Sequence, residues 1–170
     1  LTKPPAPVVL LPALKQVRPR AVLSVPLLIE KIYRSVVLPK INKTWFMRHA
    51  YKLGPVRKIT NRLIGRGLIK IFGGNIHFFG IGGAALAEDV EFFLREARFP
   101  YAIGYGLTET APLIAGCGPA LTRFRSTGPA LPGVTVKIDN PDPETGEGEI
   151  LVGGPNVMQG YFKDKDKTAE

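Results

Sequence analysis

Cysteine is nearly absent from this chain, and acid is nearly absent from its first 70 residues. The single thiol, Cys117, excludes an internal disulfide and any cysteine-rich metal site, and it fits a reducing compartment. It reads as an ordinary loop or core thiol rather than a reactive one. With only two histidines, His49 and His77, and no spaced Cys/His set, no zinc site is expected. Long hydrophobic runs are missing too. The longest uncharged stretch, 71–87, contains Gly73, Gly74, Gly80, Gly82 and Gly83, a composition unlike a bilayer-spanning helix of roughly 20 apolar residues. Prolines interrupt the apolar stretch 4–14 and no small-residue cleavage pattern follows it, so no secretory signal is expected. There is no internal repeat, no low-complexity segment and no G-x-x-x-x-G-K-[ST], which leaves a P-loop NTPase without support.

The net charge of +9 hides an asymmetry. The first 70 residues carry 15 Lys and Arg against one acid, Glu30, while the remainder carries 8 against 13 Asp and Glu. A basic lobe of this kind suits phosphates, an anionic membrane surface or nucleic acid. A solvated face, or one turned toward acidic segments outside this chain, accounts for it equally well. At 170 residues and 45% hydrophobic composition there is material for one core of ordinary size, or one core and part of a second. The chain opens on Leu1 and stops at Lys167-Thr168-Ala169-Glu170, where a helix begins, so it reads as a piece of a longer protein.

Periodicity organises the chain. A helix is predicted over 10–17, a short buried strand over 21–25 closed by Pro26, and a helix over 26–41 with Leu28, Ile32, Val36 and Val37 on one face. Residues 40–70 keep the helical spacing with basic residues all around, predicting two or three surface helices broken near Gly54-Pro55. Ile76-His77-Phe78-Phe79 predicts a central strand, in which His77 reads as a satisfied core histidine. A helix over 87–97 buries Leu86, Val90, Phe93, Leu94 and Ala97, with Glu88, Asp89 and Glu91 complementing its positive end. Tyr101-Ala102-Ile103 makes another strand. Strand, loop, helix, strand is the order of an α/β sheet with parallel pairing. Beyond Gly116 the pattern changes to a half-buried alternating strand over 134–138, turn chemistry over 140–148 and a second strand over 149–152. The expected architecture is an α/β, parallel-sheet subdomain with a basic helical lobe over 1–116. A small β-rich subdomain, cut at its C-terminal end, follows over 117–170.

Two glycine-rich loops leave the carboxyl ends of predicted strands, the edge at which open α/β sheets bind ligands. Gly80-Ile81-Gly82-Gly83-Ala84-Ala85 fits G-x-G-x-x-A, yet no acid stands at the tip of the next strand to grip a ribose, which argues against a dinucleotide fold. The second loop is Gly104-Tyr105-Gly106-Leu107-Thr108-Glu109-Thr110. It packs an aromatic face that can cover a purine, a hydroxyl that can bond a phosphate oxygen and a carboxylate that can hold a hard cation between permissive glycines. Each of these residues has an ordinary structural use as well: Tyr105 as a turn or core aromatic, Thr108 as a helix cap, Glu109 as a first-turn acid.

Taken together, three segments resemble the adenylate-forming (AMP-binding) superfamily: Gly82-Gly83-Ala84-Ala85-Leu86, Tyr105-Gly106-Leu107-Thr108-Glu109, and Gly148-Glu149-Ile150-Leu151-Val152 with Gly154-Pro155-Asn156-Val157-Met158-Gln159-Gly160-Tyr161. Ser24-Val25-Pro26 followed by Glu30-Lys31-Ile32-Tyr33 is similar to the V-P-x-x-x-E-K-I-Y pattern of long-chain fatty acyl-CoA synthetases, and the same residues also make a good helix start. The resemblance implies an ATP-dependent ligase. A fatty acid carboxylate attacks the α-phosphate of Mg-ATP and expels pyrophosphate, and the thiol of CoA then attacks the acyl-adenylate to give the thioester and AMP. It implies that Tyr105 stacks on adenine between Gly104 and Gly106, that Gly82, Gly83 and Ala84 line the base, that Thr108 bonds the α-phosphate and that Glu109 coordinates Mg2+. Glu149, on a strand away from this edge, is structural.

The resemblance places a phosphate loop before Leu1, and a ribose-binding aspartate and a mobile C-terminal domain after Glu170, so this piece is expected to be inactive alone. One departure is local. Ile103 stands where relatives often carry a polar residue, which weakens hydrogen bonding to adenine. The alternatives are another adenylating enzyme, such as an acyl-carrier-protein ligase, or a non-catalytic module whose basic lobe engages membrane or nucleic acid. The intact Thr108-Glu109 pair weighs against the last, and nucleic acid is not the favoured partner. A cytoplasmic protein is expected, with peripheral contact at the inner membrane face through the basic lobe. There Trp45, Phe46 and Met47 read as helix packing ahead of an interfacial or CoA-phosphate contact, and His49 as a surface residue.

Overall fold

The computed structural model describes residues 7–169, with side chains at all of them except 7, 8, 46 and 47. Helix α1 (Pro7–Val17) leads into β1 (Ala21–Ser24), which pairs in parallel with β2 (Phe78–Ile81), which pairs in parallel with β3 (Tyr101–Ile103). Parallel neighbours require crossovers. The first crossover is a helical lobe: α2 (Pro26–Ile32), a π-helical turn at Tyr33–Val37, α3 (Leu38–Ile41), α4 (Trp45–Ala50) and α5 (Gly54–Ile71). The second is α6 (Glu88–Glu96) alone. The fold is the expected α/β arrangement of a parallel sheet with flanking helices followed by a small β part.

The predicted helix over 26–41 is interrupted where Leu38 N–H donates to the carbonyl of Tyr33, five residues back. Pro39 has no N–H to offer the carbonyl of Ser35, and the widened turn absorbs the mismatch. Pro39 lies within the helical run all the same, because a proline near the start of α3 costs no bond already made.

Apolar side chains from the sheet and three helices meet in one core: Ile29 and Ile32, Leu68 and Phe72, Phe79 and Ile81, Val90, Phe93 and Leu94. Three rings at its centre, Phe72, Phe79 and Phe99, stand 5.2 to 6.1 Å apart, tilted or edge-on as their quadrupoles prefer. Helix α5 approaches the end of α6 so closely that a Cβ on Gly65 would lie 2.7 Å from the Ala97 Cβ and 2.8 Å from its carbonyl oxygen.

The basic lobe is a surface on one side only. Arg57 forks onto both oxygens of Glu96, Asn61 donates to Glu96 Oε2 at 2.8 Å, and the Tyr51 hydroxyl donates to Asn61 Oδ1 at 2.7 Å. Asn61 is fully buried yet satisfied on both sides of its amide. Burial pushes the Tyr51 phenol above its ordinary value. Elsewhere in the lobe, Trp45, Leu53, Ile59 and Leu63 are exposed, as are Arg48, Lys52, Lys58 and Arg62. Trp45 packs on the His49 ring one turn along its own helix, centroids 4.2 Å apart, and is otherwise exposed; the side chains of Phe46 and Met47 lie outside those described.

Three local expectations need correction. Strand β2 begins at Phe78 rather than Ile76, and His77 is exposed, its Nδ1 2.7 Å from the Asn75 carbonyl oxygen, because it sits on the turn entering the strand. Strand β1, expected to be buried, leaves Ala21 and Leu23 exposed. Glu91, in the first turn of α6 as expected, is buried. It accepts from the Tyr101 hydroxyl at 3.2 Å and from Arg125 N at 3.0 Å, tying α6 to β3 and to the chain beyond it. Burial, with Glu91 beside it, pushes the Tyr101 phenol well up.

The third concerns β4 (Thr135–Asp139) and β5 (Glu149–Gly153), which form an antiparallel ribbon with Thr135 opposite Gly153 and Asp139 opposite Glu149. The connecting turn is closed by Asp142, whose Oδ1 accepts from Glu144 N and Thr145 N. The strand over 134–138 was expected to be half-buried, yet Val136, Ile138, Ile150 and Leu151 are all exposed. A two-stranded ribbon has no second layer to close over either face among the described residues. The last helix, α7 (Lys165–Ala169), is short. Among the described residues no helix is long and apolar enough to cross a membrane.

Candidate active site

The two glycine loops leave the same edge of the sheet because the ladder carries on past the strands. Gly82 N–H donates to Ser24 O at 3.1 Å and Gly104 N–H to Ile81 O at 2.9 Å. A Cβ on Gly82 would stand 3.3 Å from the Gly104 carbonyl oxygen, and Gly83 holds φ +90°, so the first loop uses the missing side chain at two successive positions. Between them opens a cavity of about 600 Å³. Gly82, Gly83, Gly104, Gly106 and Thr108 line it. Apolar side chains line it as well: Leu23, Phe78, Ala102, Leu113 and Leu131. Cys117 lies on this wall, half-buried, with its sulfur 3.8 Å from the Thr122 hydroxyl.

Not every candidate residue is gathered there. Ala84 is exposed beyond the rim, while Tyr105 and Glu109 do not line this cavity. Tyr105 is half-buried, its backbone stitched to the return of the loop: its N–H donates to Ala115 O at 2.9 Å and its carbonyl accepts from Ile114 N at 2.8 Å. Gly106 faces the same return. A Cβ there would collide with the Pro112 carbonyl.

Thr108, Glu109 and Thr110 form a single 3-10 turn. The threonine that closes it is Thr110, which is buried and both accepts from Leu107 N at 3.1 Å and donates to Leu107 O at 2.9 Å. Thr108 is therefore not the cap, and it stays exposed on the cavity rim. Glu109 is partly exposed, and its Oε1 accepts from the Tyr161 hydroxyl at 2.8 Å. That bond, with a smaller contribution from Lys167, holds the carboxyl below the usual carboxylate range, so it is charged at neutral pH.

Sequence reasoning overlooked several residues that hold the site. Glu30 reaches across from α2, and its Oε1 accepts from Ala87 N at 2.9 Å, anchoring the far end of the first glycine loop. Its signal was its isolation as the one acid among 15 bases. Asn156 and Tyr161 lay inside a motif already singled out, but nothing local says what they face.

The donor set suits a magnesium nucleotide. One charged carboxylate, an exposed hydroxyl and side-chain-free backbone are present at or beside a cavity of about 600 Å³. Among the described residues no group of three or more His, Cys, Asp or Glu converges, so a divalent cation would take most of its oxygens from phosphate and water.

The model of the AMP-binding enzyme family matches residues 2–162. This chain belongs to that family. Over 182 residues it is 28% identical to long chain acyl-CoA synthetase 4 of Arabidopsis thaliana, spanning 92% of this chain and 27% of that protein. Over 103 residues it is 39% identical to the 4-coumarate–CoA ligase of Pinus taeda, spanning 52% of this chain and 19% of the relative. The ATP-bound MatB structure from Rhodopseudomonas palustris superposes with a TM-score of 0.61 at 25% identity, across 96% of this chain and 27% of that one. The chain thus spans about a quarter of such AMP-binding enzymes.

Proposed function

We propose that this chain is the adenine-side portion of an ATP-dependent acyl-CoA ligase that activates a fatty acid as its acyl-adenylate and passes the acyl group to CoA. The observation that carries the reading is the 600 Å³ cavity between the two glycine loops, rimmed by Thr108 beside a charged Glu109 and lined otherwise by apolar side chains. The glycines admit a flat base to the backbone, with Gly82 and Gly83 as its contacts inside the cavity and Ala84 and Tyr105 as contacts outside it. The Thr108 hydroxyl donates to the α-phosphate as the carboxylate attacks, and Glu109 holds the cation side of the triphosphate. Magnesium, when bound, offsets the charge that builds on the phosphate oxygens. In-line attack at phosphorus depends mainly on such positioning.

The fatty substrate is favoured by the wider likeness to a long-chain synthetase, 92% of the chain against 52% for the coumarate ligase. The test is pyrophosphate exchange by the complete protein across acids of increasing length. Exchange rising with chain length supports the fatty acid, whereas exchange confined to short or aromatic acids overturns it. Thioester formation on a carrier protein but not on CoA would move the reading to an acyl-carrier-protein ligase.

A second reading concerns the basic lobe. We infer that the complete protein sits in the cytoplasm, with this face resting on an anionic membrane surface. Exposed Trp45, Leu53, Ile59 and Leu63 among Arg48, Lys52, Lys58 and Arg62 supply the apolar and cationic contacts such a surface takes. Co-sedimentation with phosphatidylglycerol vesicles is expected to fall several-fold in Trp45→Ala/Ile59→Ser and at high salt. Equal binding to neutral vesicles removes the electrostatic part.

A further inference from the structure

Glu109 does not stand alone on its turn; a later segment of chain grips it from three directions. After β5, Asn156 Nδ2 donates to the carbonyls of Thr110 and Leu113, both at 3.0 Å. Two residues on, Met158 N–H donates to the carbonyl of Glu109 itself at 2.8 Å. The Tyr161 hydroxyl then reaches Glu109 Oε1 at 2.8 Å. The first two contacts fix the backbone of the turn, and the third touches the functional atoms.

The tyrosine is itself held. Its N–H donates to Thr168 Oγ1 at 3.0 Å, and that hydroxyl donates to the Asp164 carbonyl at 2.6 Å. A Cβ on Gly160 would strike the Thr168 side chain, so the turn closes tightly against that residue. The Lys167 ammonium lies 4.8 Å from the ring centroid.

We propose that Tyr161 is a positioning residue for the cation carboxylate: its hydroxyl pins one oxygen of Glu109 and presents the other, Oε2, to the magnesium of bound ATP. The inference rests on the reading of Glu109 as the cation carboxylate. A glutamate on a partly exposed turn otherwise samples several rotamers and must surrender them on binding. A tyrosine fixed by its own turn supplies that ordering in advance, and because it binds only one oxygen it does not compete for the second. A hydroxyl that merely stabilised the fold would act on the whole turn alike. One that acts through Glu109 acts on the cation alone.

The test uses the complete protein and Mn2+ as a magnetic probe, titrated by electron paramagnetic resonance in the presence of a non-hydrolysable ATP analogue. Magnesium titration of pyrophosphate exchange and the melting temperature are read alongside. In Tyr161→Phe, which keeps the ring and removes the hydroxyl, the Mn2+ dissociation constant and the Mg2+ midpoint are expected to rise roughly 3- to 10-fold, the size of one lost hydrogen bond to a partly exposed carboxylate. The melting temperature and the KM for the acid are expected to stay where they are. In a Glu109→Gln background the same substitution is expected to add nothing, because its route of action is gone.

Weaker Mn2+ binding in Glu109→Gln with unaltered binding in Tyr161→Phe overturns the positioning role and leaves the Glu109 reading standing. Fully additive effects in the double variant overturn it as well. Unaltered Mn2+ binding in Glu109→Gln removes both.

Discussion

Glu109→Gln in the complete protein is expected to lower ATP–pyrophosphate exchange by roughly 10²- to 10³-fold, the loss typical when one preorganised electrostatic contact to a transition state is removed. Glutamine keeps the length and shape of the side chain, and its amide oxygen can still accept from the Tyr161 hydroxyl that now lies 2.8 Å from Oε1. The backbone of the turn is held independently by Met158 N–H and by Asn156. The substitution therefore removes charge and little else, and the melting temperature should change little. Charge is what matters for a hard cation, which favours ionised oxygen ligands over neutral ones. Exchange at the parental level in the glutamine variant would show that the carboxylate has no part in the reaction.

Gly106→Ala is expected to cost about 100-fold in exchange and to lower the melting temperature, for a different reason. The added methyl would occupy the place of the Pro112 carbonyl, which is backbone and cannot swing aside as a flexible side chain can. Relief requires the strands of the loop to part, and overpacking of this kind costs about 1–3 kcal/mol of stability. The same parting moves Thr108 and Glu109, which follow Gly106 by two and three residues, and misplacing reacting groups by about 1 Å can cost about 10² in rate. Gly104 offers the control. A Cβ there meets Leu113 Cδ1 at 2.8 Å, the end of a side chain with room to rotate, so Gly104→Ala should be milder in both measurements. Equal losses in the two variants would mean that the loop return is not the constraint.

Where a signal is local and periodic, the chain announces its structure. Val90, Phe93, Leu94 and Ala97 recur at helical spacing, and all are buried on α6 or at its end. The glycine loops fall where short apolar strands end, and the strands are parallel because a helix separates them. The family resemblance was equally legible, since it rests on contiguous residues. What the chain did not announce were facts about neighbours. His77 is exposed because β2 starts one residue after it, and Pro39 forces a π turn rather than ending the helix. Glu91 is buried because Arg125 and Tyr101 are brought to it from elsewhere.

The linear order of residues by itself determined the elements, the parallel pairing and the two loops, because backbone preference and apolar period act over only a few positions. Only the tertiary structure decided that Tyr161 meets Glu109 and that Glu30 holds Ala87, pairs 52 and 57 residues apart. Such contacts depend on where the sheet and its crossovers deliver each side chain, and a hydrogen bond reaches only about 3 Å.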